Sequence, residues 1–347
     1  MKKILFVVGC VVMLAAGCDP FGSKAAVGIV KTANGGVDWQ SANKIKDSTQ
    51  SLLQLSISRL QFDPSNTFLY AGTYDGGLYK SEDAAENWQE VLGQIPVFDF
   101  AFSPTDSNTM YAAGYVDNRG RVLKTLDGGK SWNDIYSDAG AENPVRAVAV
   151  NPSNADQIVA GLGKGSLIMS DNGGATWRLL QNYNNRVNQI VWRSGALFVV
   201  VKSTGVFRSL DNGGSFTQVT NSLNSSGNAI GFSFFGSNIS DYRQISVSAD
   251  SQTTYLTTNI GLYRSTNGGT GWTYVSMPYR KEDAAPYGVT MAPGNESIVY
   301  ASAGSVIYKS TDGGYAWSTS DTSTGGLITS ILVSPNLPQV AFAGVSK

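Results

Sequence analysis

The sequence predicts an all-β fold, a single seven-bladed β-propeller with four-stranded antiparallel blades, the last of which is closed by both chain termini. Three observations predict it. A motif of eight residues recurs seven times at intervals of about 40 to 50 residues, the spacing of a repeat architecture. Pairs of alternating strands precede most copies, and incomplete units stand at the two ends of the chain.

Each copy of the motif begins with Ser or Thr and ends seven residues later with an aromatic residue. In the copy at 125–132, Asp127 can accept hydrogen bonds from the turn amides, while Gly128 and Gly129 supply positive φ. The Trp offers an apolar face to a neighbouring sheet, and its indole N–H needs an acceptor. We assign the turn position to Asn34, Asp83, Asp127, Asp171, Asp211, Asn267 and Asp312. The aromatic ends are Trp39, Trp88, Trp132, Trp177, Phe216, Trp272 and Trp317.

The copy at Asp83 departs from the others because Ala84 and Ala85 replace the glycines. Alanine adopts positive φ less readily than glycine. We therefore expect this hairpin to be the loosest of the seven.

The remaining strands follow from period-two alternation bounded by Pro and Asn turns. Leu60 and Phe62 alternate ahead of a turn at 64–66, and a second strand follows at 69–72. The same layout returns in later units, so each unit is predicted to be a four-stranded sheet.

The two chain ends hold complementary half-repeats. Residues 28–40 carry a motif without preceding strands, whereas 328–333 and 339–343 are strands without a following motif. Complementary half-repeats are not expected in a linear solenoid, whose ends do not meet. In a closed ring, the two halves together complete one blade.

The longest departure from the blade rhythm is a Ser-, Asn- and Gly-rich segment at 221–241. Loops of this length inside a domain are often functional. An added edge strand is an equal alternative.

The N-terminus predicts export. Lys2 and Lys3 precede an apolar run at 4–16 that is too short to span a membrane, which is typical of a signal peptide. Residues 14–18, ending in Cys18, resemble a bacterial lipoprotein signal, which implies that Cys18 is lipidated. We therefore divide the chain into a signal peptide at 1–17, a lipidated Cys with a short tether at 18–24, and the propeller at 25–347. The expected location is the bacterial cell envelope, on its periplasmic or cell-surface side, with the membrane bound through the lipid.

The amino-acid composition limits the kinds of binding and catalysis that the chain can support. Lys and Arg number 25 against 26 Asp and Glu, so the chain shows no electrostatic footprint for nucleic acid. There is no His, which removes the commonest general base and metal ligand. One Asp per turn supplies too few oxygen ligands for calcium. We expect no metal and no cofactor.

The repeated motif resembles the Asp-box, or bacterial neuraminidase repeat, which reads S-x-D-x-G-x-T-W. The resemblance implies that the motif is the turn between the third and fourth strands of each blade and is structural. The chain is also similar to sialidases, to sortilin-type receptors, and to the photosystem II assembly factor family, whose members are often lipid-anchored and bind membrane-protein partners with an Arg-bearing face. Xyloglucanases of this superfamily use two Asp across a cleft between tandem propellers, whereas this chain has one propeller.

Candidate site residues lie at the starts of the innermost strands. Arg59, Arg146 and Arg243 would surround the mouth of the central channel. Three interpretations are open for these arginines. They are solvated or paired with acids such as Asp99, Glu142 or Asp241, or they form a ring that binds an anion or a partner. The third interpretation is that they are catalytic residues of the kind sialidases use. Non-repeating loops on the same face add Tyr115, Tyr183, Arg186 and Tyr287.

These observations predict a lipid-anchored binding or assembly scaffold whose variable loop face takes a protein partner or a glycan. The alternative is a carbohydrate-active hydrolase, sialidase-like or xyloglucanase-like. A glycosidase needs two carboxylates facing each other across a pocket, whereas a scaffold does not.

Overall fold

A computed structural model describes residues 27–193, 195–225, 239–279 and 284–347. The predicted signal peptide, Cys18 and the tether lie outside the described residues, as does the 226–238 part of the insertion. The described chain is all-β apart from a short 3-10 helix at Leu52–Gln54 and one turn of α-helix, α1, at Asn221–Ser225.

Within the described residues, twenty-eight strands form seven four-stranded antiparallel sheets, which confirms the predicted propeller. The chain opens with β1 (Gly28–Thr32) and β2 (Gln40–Ser41). Blade 1 comprises β3 (Ile57–Phe62), β4 (Leu69–Thr73), β5 (Gly77–Ser81) and β6 (Gln89–Gly93). Blade 2 comprises β7 (Val97–Phe102), β8 (Met110–Val116), β9 (Arg119–Thr125) and β10 (Asn133–Ser137). Blade 3 comprises β11 (Val145–Asn151), β12 (Asn154–Leu162), β13 (Ser166–Ser170) and β14 (Arg178–Asn182).

The second half of the chain continues the pattern. Blade 4 comprises β15 (Val187–Arg193), β16 (Ala196–Val201), β17 (Gly205–Ser209) and β18 (Thr217–Gln218). Blade 5 comprises β19 (Tyr242–Val247), β20 (Thr254–Thr258), β21 (Gly261–Ser265) and β22 (Thr273–Val275). Blade 6 comprises β23 (Val289–Ala292), β24 (Asn295–Ala303), β25 (Val306–Ser310) and β26 (Ser318–Asp321). Blade 7 begins with β27 (Leu327–Val333) and β28 (Ala341–Ser346).

Blade 7 is completed by the N-terminal strands, in the order β2-β1-β28-β27. Val30 pairs with Ala343 and Gly28 with Val345, so the two predicted halves form one sheet. The innermost strands contact one another in sequence, and β27 contacts β3, which closes the ring.

The two faces of the disc differ. Every innermost strand begins on one face, here named the loop face, where the 74–76 and 183–186 connections also lie. The opposite face, here named the turn face, carries the Pro and Asn turns and the turns of the repeated motif. Gly28 is the first residue of β1 and Ser346 is the last residue of β28. Because the two strands are antiparallel, both residues lie on the loop face.

The turns formed by the repeated motif share one hydrogen-bond pattern. In blade 2, the Thr125 hydroxyl donates to Asp127 Oδ1 (2.7 Å), and that oxygen accepts from Ser131 N (2.9 Å). Gly129 N donates to Thr125 Oγ1 (3.0 Å), with Gly128 and Gly129 at φ 73° and 95°. The turn thereby satisfies its own amides.

The assignment of Asp171 to this turn is wrong, because Asn172 occupies the position. The Ser170 hydroxyl donates to Asn172 Oδ1 (3.0 Å), which also accepts from Thr176 N (2.9 Å). The acceptor must stand two residues after the Ser for its side chain to curl back over the turn. Asp171 instead pairs with Arg178 (2.9 Å).

The copy at Asp83 keeps the same bonds despite its alanines. Ala85 N donates to Ser81 Oγ (2.8 Å) and Asn87 N to Asp83 Oδ1 (2.8 Å). Ala84 and Ala85 adopt φ of 54° and 70°, so the turn holds two alanines in a region that disfavours a Cβ.

Five of the six motif tryptophans connect neighbouring blades through their indole N–H. Trp132 Nε1 donates to Val91 O in blade 1, and Trp177 Nε1 donates to Ile135 O in blade 2, each at 2.9 Å. Equivalent bonds join Trp39 to Ser320 Oγ, Trp88 to Ala42 O, and Trp272 to Val219 O. Trp317 donates to Gly314 O of its own turn (3.1 Å). The prediction that each indole needs an acceptor is confirmed.

Candidate binding site at the channel mouth

A β-bulge near the loop face interrupts six of the seven innermost strands described. The register against the second strand shifts between Ile57/Arg59, Val97/Asp99, Val145/Ala147, Val187/Gln189, Tyr242/Gln244 and Ile328/Ser330. A bulge opposes two residues to one and turns the side chains there away from strict alternation. Side chains at these positions therefore reach the mouth of the channel.

A cavity of about 250 Å³ lies at this mouth, on the loop face. Six of the predicted site residues line it: Arg59, Asp99, Arg146, Arg186, Arg243 and Tyr287. Seven more lining residues were not among the predicted site residues, namely Ser58, Tyr74, Phe98, Val187, Asn188, Gln189 and Gln244. Five of these occupy the second or third position of an innermost strand, and that position was the signal that could have found them.

Two predicted site residues lie elsewhere. The ring of Tyr183 packs on Phe207 (ring centroids 4.5 Å apart) because it follows the outermost strand of its blade, far from the axis. The Tyr115 hydroxyl bonds to Asn118 within its own hairpin. A place on a loop-face connection does not bring a side chain to the centre of the disc.

Arg59 and Asp99 form an ion pair, with Nε 3.0 Å from Oδ1. Asp99 is buried, and its Oδ2 also accepts from Val148 N (3.1 Å). Burial raises the pKa of Asp99, and the charge of Arg59 opposes that rise. The pair thus connects blades 1, 2 and 3 at the edge of the cavity.

Arg243 is also held by protein partners. Its Nε lies 3.2 Å from Asp241 Oδ2, and its Nη1 donates to the carbonyl oxygens of Ala285 (2.9 Å) and Pro286 (2.8 Å). The interpretation as residues paired with acids is therefore confirmed for Arg59 and Arg243.

Arg146 has a different environment. Its guanidinium lies over the Phe98 ring, 4.1 Å from the centroid, and Phe98 in turn contacts Tyr74. Among the described residues no carboxylate comes within 4.0 Å of Arg146 or Arg186, so for Arg146 the pairing interpretation is wrong. Burial lowers the pKa of Arg146, and the positive charge of Arg186 lowers it further.

Arg186 completes the unpaired part of the site. Its Nε donates to Asn188 Oδ1 (2.7 Å), which fixes the side chain without neutralising it. Nearby, burial and the proximity of Tyr287 raise the pKa of Tyr74 to about 12, so Tyr74 is a neutral hydroxyl at physiological pH. The site offers two unneutralised guanidinium groups beside neutral aromatic rings.

The cavity concentrates positive charge in a chain whose net charge is −1. Four arginines and one aspartate are the charged residues among the described residues that line it. Low-dielectric walls around such a cleft focus the field and attract anions. Chemically, the arrangement is suited to a carboxylate or another oxyanion.

A glycosidase arrangement would require a second carboxylate opposite the first. Within the described residues, Asp99 is the carboxylate that lines the cavity, while Asp241 is engaged with Arg243. The same residues contain no group of three His, Cys, Asp or Glu side chains able to hold a metal ion. None of the helices in the described ranges has the length and apolar character that a membrane span requires.

No protein-family model matches the chain. An oligoxyloglucan-reducing end-specific xyloglucanase from Emericella nidulans is 34% identical over 85 residues, which covers 22% of this chain and 10% of that enzyme. The similarity is therefore confined to a small part of a much longer protein.

Solved structures share the fold over most of the chain. A GH74 xyloglucanase from Xanthomonas campestris superposes with a TM-score of 0.68 at 16% identity, covering 92% of this chain and 52% of that one. A GH74 enzyme from Niastella koreensis gives 0.63 at 18% identity, covering 91% and 53%. The chain thus spans about half the length of these enzymes.

A structure of YCF48 bound to D1 peptide has a TM-score of 0.63 at 14% identity, covering 90% of this chain and 100% of that one. At these identities the likeness concerns the fold alone. This chain is similar in architecture to GH74 xyloglucanases and to YCF48, as a seven-bladed β-propeller.

Proposed function

We propose that the chain is a lipid-anchored, extracytoplasmic scaffold whose channel-mouth cavity binds an acidic segment of a protein partner. The observation that carries the proposal is the pair of guanidinium groups at Arg146 and Arg186, which lie beside Phe98 and Tyr74 without a carboxylate partner among the described residues. An Arg group that is partly desolvated and unneutralised gains most from an incoming carboxylate.

The ring environment suits a peptide better than an inorganic ion alone. Phe98, Tyr74 and Tyr287 present apolar surface next to the cations, and aromatic and Arg side chains dominate protein-binding surfaces. The similarity in fold to YCF48, solved with a bound peptide, supports this choice of ligand class.

The direction of the chain supports an orientation toward the membrane. β1 begins at Gly28 on the loop face, the face that carries the cavity. If Cys18 bears the lipid, the nine residue-to-residue steps from Cys18 to Val27 reach at most about 30 Å in a fully extended chain. The cavity would then lie near the lipid surface, within reach of the extracytoplasmic segment of a membrane protein.

Binding can be tested with a fluorescein-labelled decapeptide that contains Tyr and four Glu, using its Gln counterpart as the uncharged control. We expect the Glu peptide to bind at least tenfold more tightly at low salt, and the Arg146→Gln/Arg186→Gln double variant to lose that preference. Arg178→Gln is the matched control, because Arg178 pairs with Asp171 away from the channel. Equal binding of the Glu and Gln peptides by the wild-type protein would contradict the proposal.

The lipid anchor has its own test. Metabolic labelling with a fatty acid should mark the wild-type protein and not the Cys18→Ser variant. Labelling that persists in Cys18→Ser would place the lipid elsewhere.

A carbohydrate-active hydrolase is the second candidate, favoured by the local similarity to the xyloglucanase from Emericella nidulans. Incubation with xyloglucan oligosaccharides should release reducing sugars if this function holds, and Asp99→Asn should abolish the release. An absence of release by the wild-type protein would leave the scaffold as the function to pursue.

A further inference from the structure

Each seam between neighbouring blades, meaning the two sheet faces that pack together there, contains a cluster of buried apolar side chains. Six of the seven seams in the described chain also have hydrogen bonds from one blade to the next. One such bond at each of the six joins Ser58 Oγ to Val97 O, Val148 N to Asp99 Oδ2, Ile245 N to Gln189 Oε1, Met291 N to Ser246 Oγ, Ser302 Oγ to Ile328 O, and Leu60 N to Ser330 Oγ.

The seam between blades 3 and 4 differs from the other six. Within the described residues, no hydrogen bond or ion pair joins residues 145–182 of blade 3 to residues 187–218 of blade 4. The buried cluster at this seam includes Ala147, Val159 and Met169 from blade 3, with Val187 and Leu197 from blade 4. In the described part of the chain, this seam is therefore held by apolar contacts.

The residue before each motif supplies one kind of bond that this seam lacks. It is Lys or Arg in six of the seven copies. Lys124 Nζ donates to Gly173 O of the next blade (2.9 Å), and Lys309 Nζ donates to Gly35 O of the next blade (2.8 Å). In blade 3 the position is occupied by Met169, which has no N–H to donate.

Two further positions have lost their polar groups at the same seam. Phe216 ends the motif of blade 4, where the other copies have Trp, and a phenyl ring cannot make the bond that Trp177 donates to the preceding blade. Ala147 follows the bulge in blade 3. At the equivalent positions, Asp99 and Gln189 each accept a backbone N–H from the next blade. Three separate substitutions thus remove cross-blade bonds from one seam.

A buried hydroxyl lies at this seam as well. The Tyr183 ring packs on Phe207 of blade 4, and the Tyr183 hydroxyl is buried without a hydrogen-bond partner in the described structure. Such a group costs free energy that is recovered when water reaches it. Apolar contacts are non-directional, so they fix the spacing of two blades less strictly than hydrogen bonds do. Separation here breaks no cross-blade hydrogen bond of the described residues and hydrates one polar group.

We propose that the ring opens at the seam between blades 3 and 4, and that a ligand at the channel mouth holds this seam closed. Arg146 lies on β11 in blade 3, and Arg186 directly precedes β15 in blade 4, so the two cations line the cavity from the two sides of the seam. An acidic segment in contact with both arginines connects the blades that lack a polar connection of their own. A ligand that binds the closed ring more tightly shifts the equilibrium toward it. The role of the ligand rests on the function proposed above.

The reactivity of a buried thiol measures the opening. Val159→Cys places a thiol at the seam between blades 3 and 4, and Val299→Cys is the matched control at the seam between blades 5 and 6. Both valines are fully buried on the second strand of their blade. A Cys10→Ser/Cys18→Ser background removes the two native thiols.

We expect Val159→Cys to react with a small aromatic disulfide about tenfold faster than Val299→Cys under native conditions, because local opening exposes the first thiol and not the second. Phe216→Trp, added to Val159→Cys, should slow the reaction by supplying the indole N–H that the other copies have. Equal rates in the two Cys variants, or no slowing by Phe216→Trp, would overturn the proposal.

The labelled Glu peptide tests the coupling to the ligand. At saturation it should slow the reaction of Val159→Cys about fivefold and leave Val299→Cys unchanged, whereas the Gln peptide should affect neither. Val159 does not line the cavity, so the peptide does not shield this thiol directly. An unchanged rate while anisotropy shows the Glu peptide bound would overturn the coupling and leave the proposed function intact. Absence of peptide binding would instead contradict the proposed function, and the rates without peptide would still decide whether the seam opens.

Discussion

The guanidinium of Arg146 lies 4.1 Å from the centre of the Phe98 ring, so an aromatic face rather than a carboxylate holds this cation at the channel mouth. A cation–π contact uses the face of the guanidinium and leaves its in-plane N–H donors directed elsewhere. Arg146 is thereby positioned without being neutralised.

Phe98→Leu should weaken binding of the acidic peptide. Loss of the cation–π contact is worth about 0.5 to 1 kcal/mol, or about two- to fivefold in affinity. Fluorescence anisotropy with the labelled peptide measures the change. Phe68→Leu is the matched control, because Lys80 Nζ lies 3.8 Å from the centre of the Phe68 ring in a cation–π contact outside the cavity. Equal losses in both variants would point to a general effect on folding.

Asp99→Asn should strengthen binding of the acidic peptide. The substitution removes the negative charge that lines the cavity, while the amide oxygen can still accept from Val148 N. We expect a gain of about tenfold at low ionic strength that shrinks as salt screens the charges. Titrations at two salt concentrations check this, and an unchanged affinity would mean that the peptide does not sense this carboxylate.

Trp177→Phe should loosen the contact between blades 2 and 3. The variant leaves Ile135 O without its donor, at a cost of about 1 to 3 kcal/mol. Hydrogen exchange should become faster in β10. Trp317→Phe removes a bond within one turn and should leave the neighbouring blade protected, so acceleration across both interfaces would refute a role specific to Trp177.

Ala84→Gly should stabilise the protein by up to about 1 kcal/mol, because glycine adopts positive φ without the steric penalty of a Cβ. Denaturant unfolding measures the gain. Ala175→Gly, at an exposed turn position with negative φ, should instead destabilise the fold slightly. A loss of stability in both variants would show that Ala84 is not strained.

Acid sensitivity should originate partly in the turns of the repeated motif. The hydroxyls of Ser209 and Ser215, with the Ser215 amide, lower the pKa of Asp211 to about 2 from an ordinary 3.8. A carboxylate with a lowered folded-state pKa stabilises the fold above its unfolded-state pKa, and this stabilisation is lost as pH falls from about 4 toward 2.

The variant Asp127→Asn/Asp211→Asn should therefore unfold at a lower pH than the wild-type protein. Hydrogen bonds from Ser131 and Thr125 lower the pKa of Asp127 as well. Asn already serves at positions 34 and 267, so the turns should survive. Acid titration followed by near-ultraviolet circular dichroism gives the midpoint, and an unchanged midpoint would assign acid unfolding to other groups.

The fold could be predicted because each turn of the repeated motif needs Ser or Thr, an Asp or Asn acceptor and an aromatic residue at fixed spacing. The error at Asp171 arose where two acceptors stand side by side, and only the offset from Ser170 separates them. Strand counting also placed Arg59, Arg146 and Arg243 correctly at one cavity.

The other residues of the cavity could not be predicted from the period-two alternation of side chains along the strands. A one-residue shift in strand pairing brings Phe98 and Gln244 to the channel, and such a shift changes no residue type in the sequence. A residue in a loop-face connection can lie close to the channel axis or far from it, and the sequence does not distinguish the two. For this reason Tyr183 was wrongly assigned to the site.

Blade 7 has a consequence for biosynthesis. β1 leaves the ribosome long before its partner β28, which ends at Ser346. Until β28 is made, β1 has an unpaired edge that can associate with other chains. A nascent propeller of this kind must be shielded or kept apart from its copies during synthesis, and truncation of the final strand would leave two open edges in every molecule.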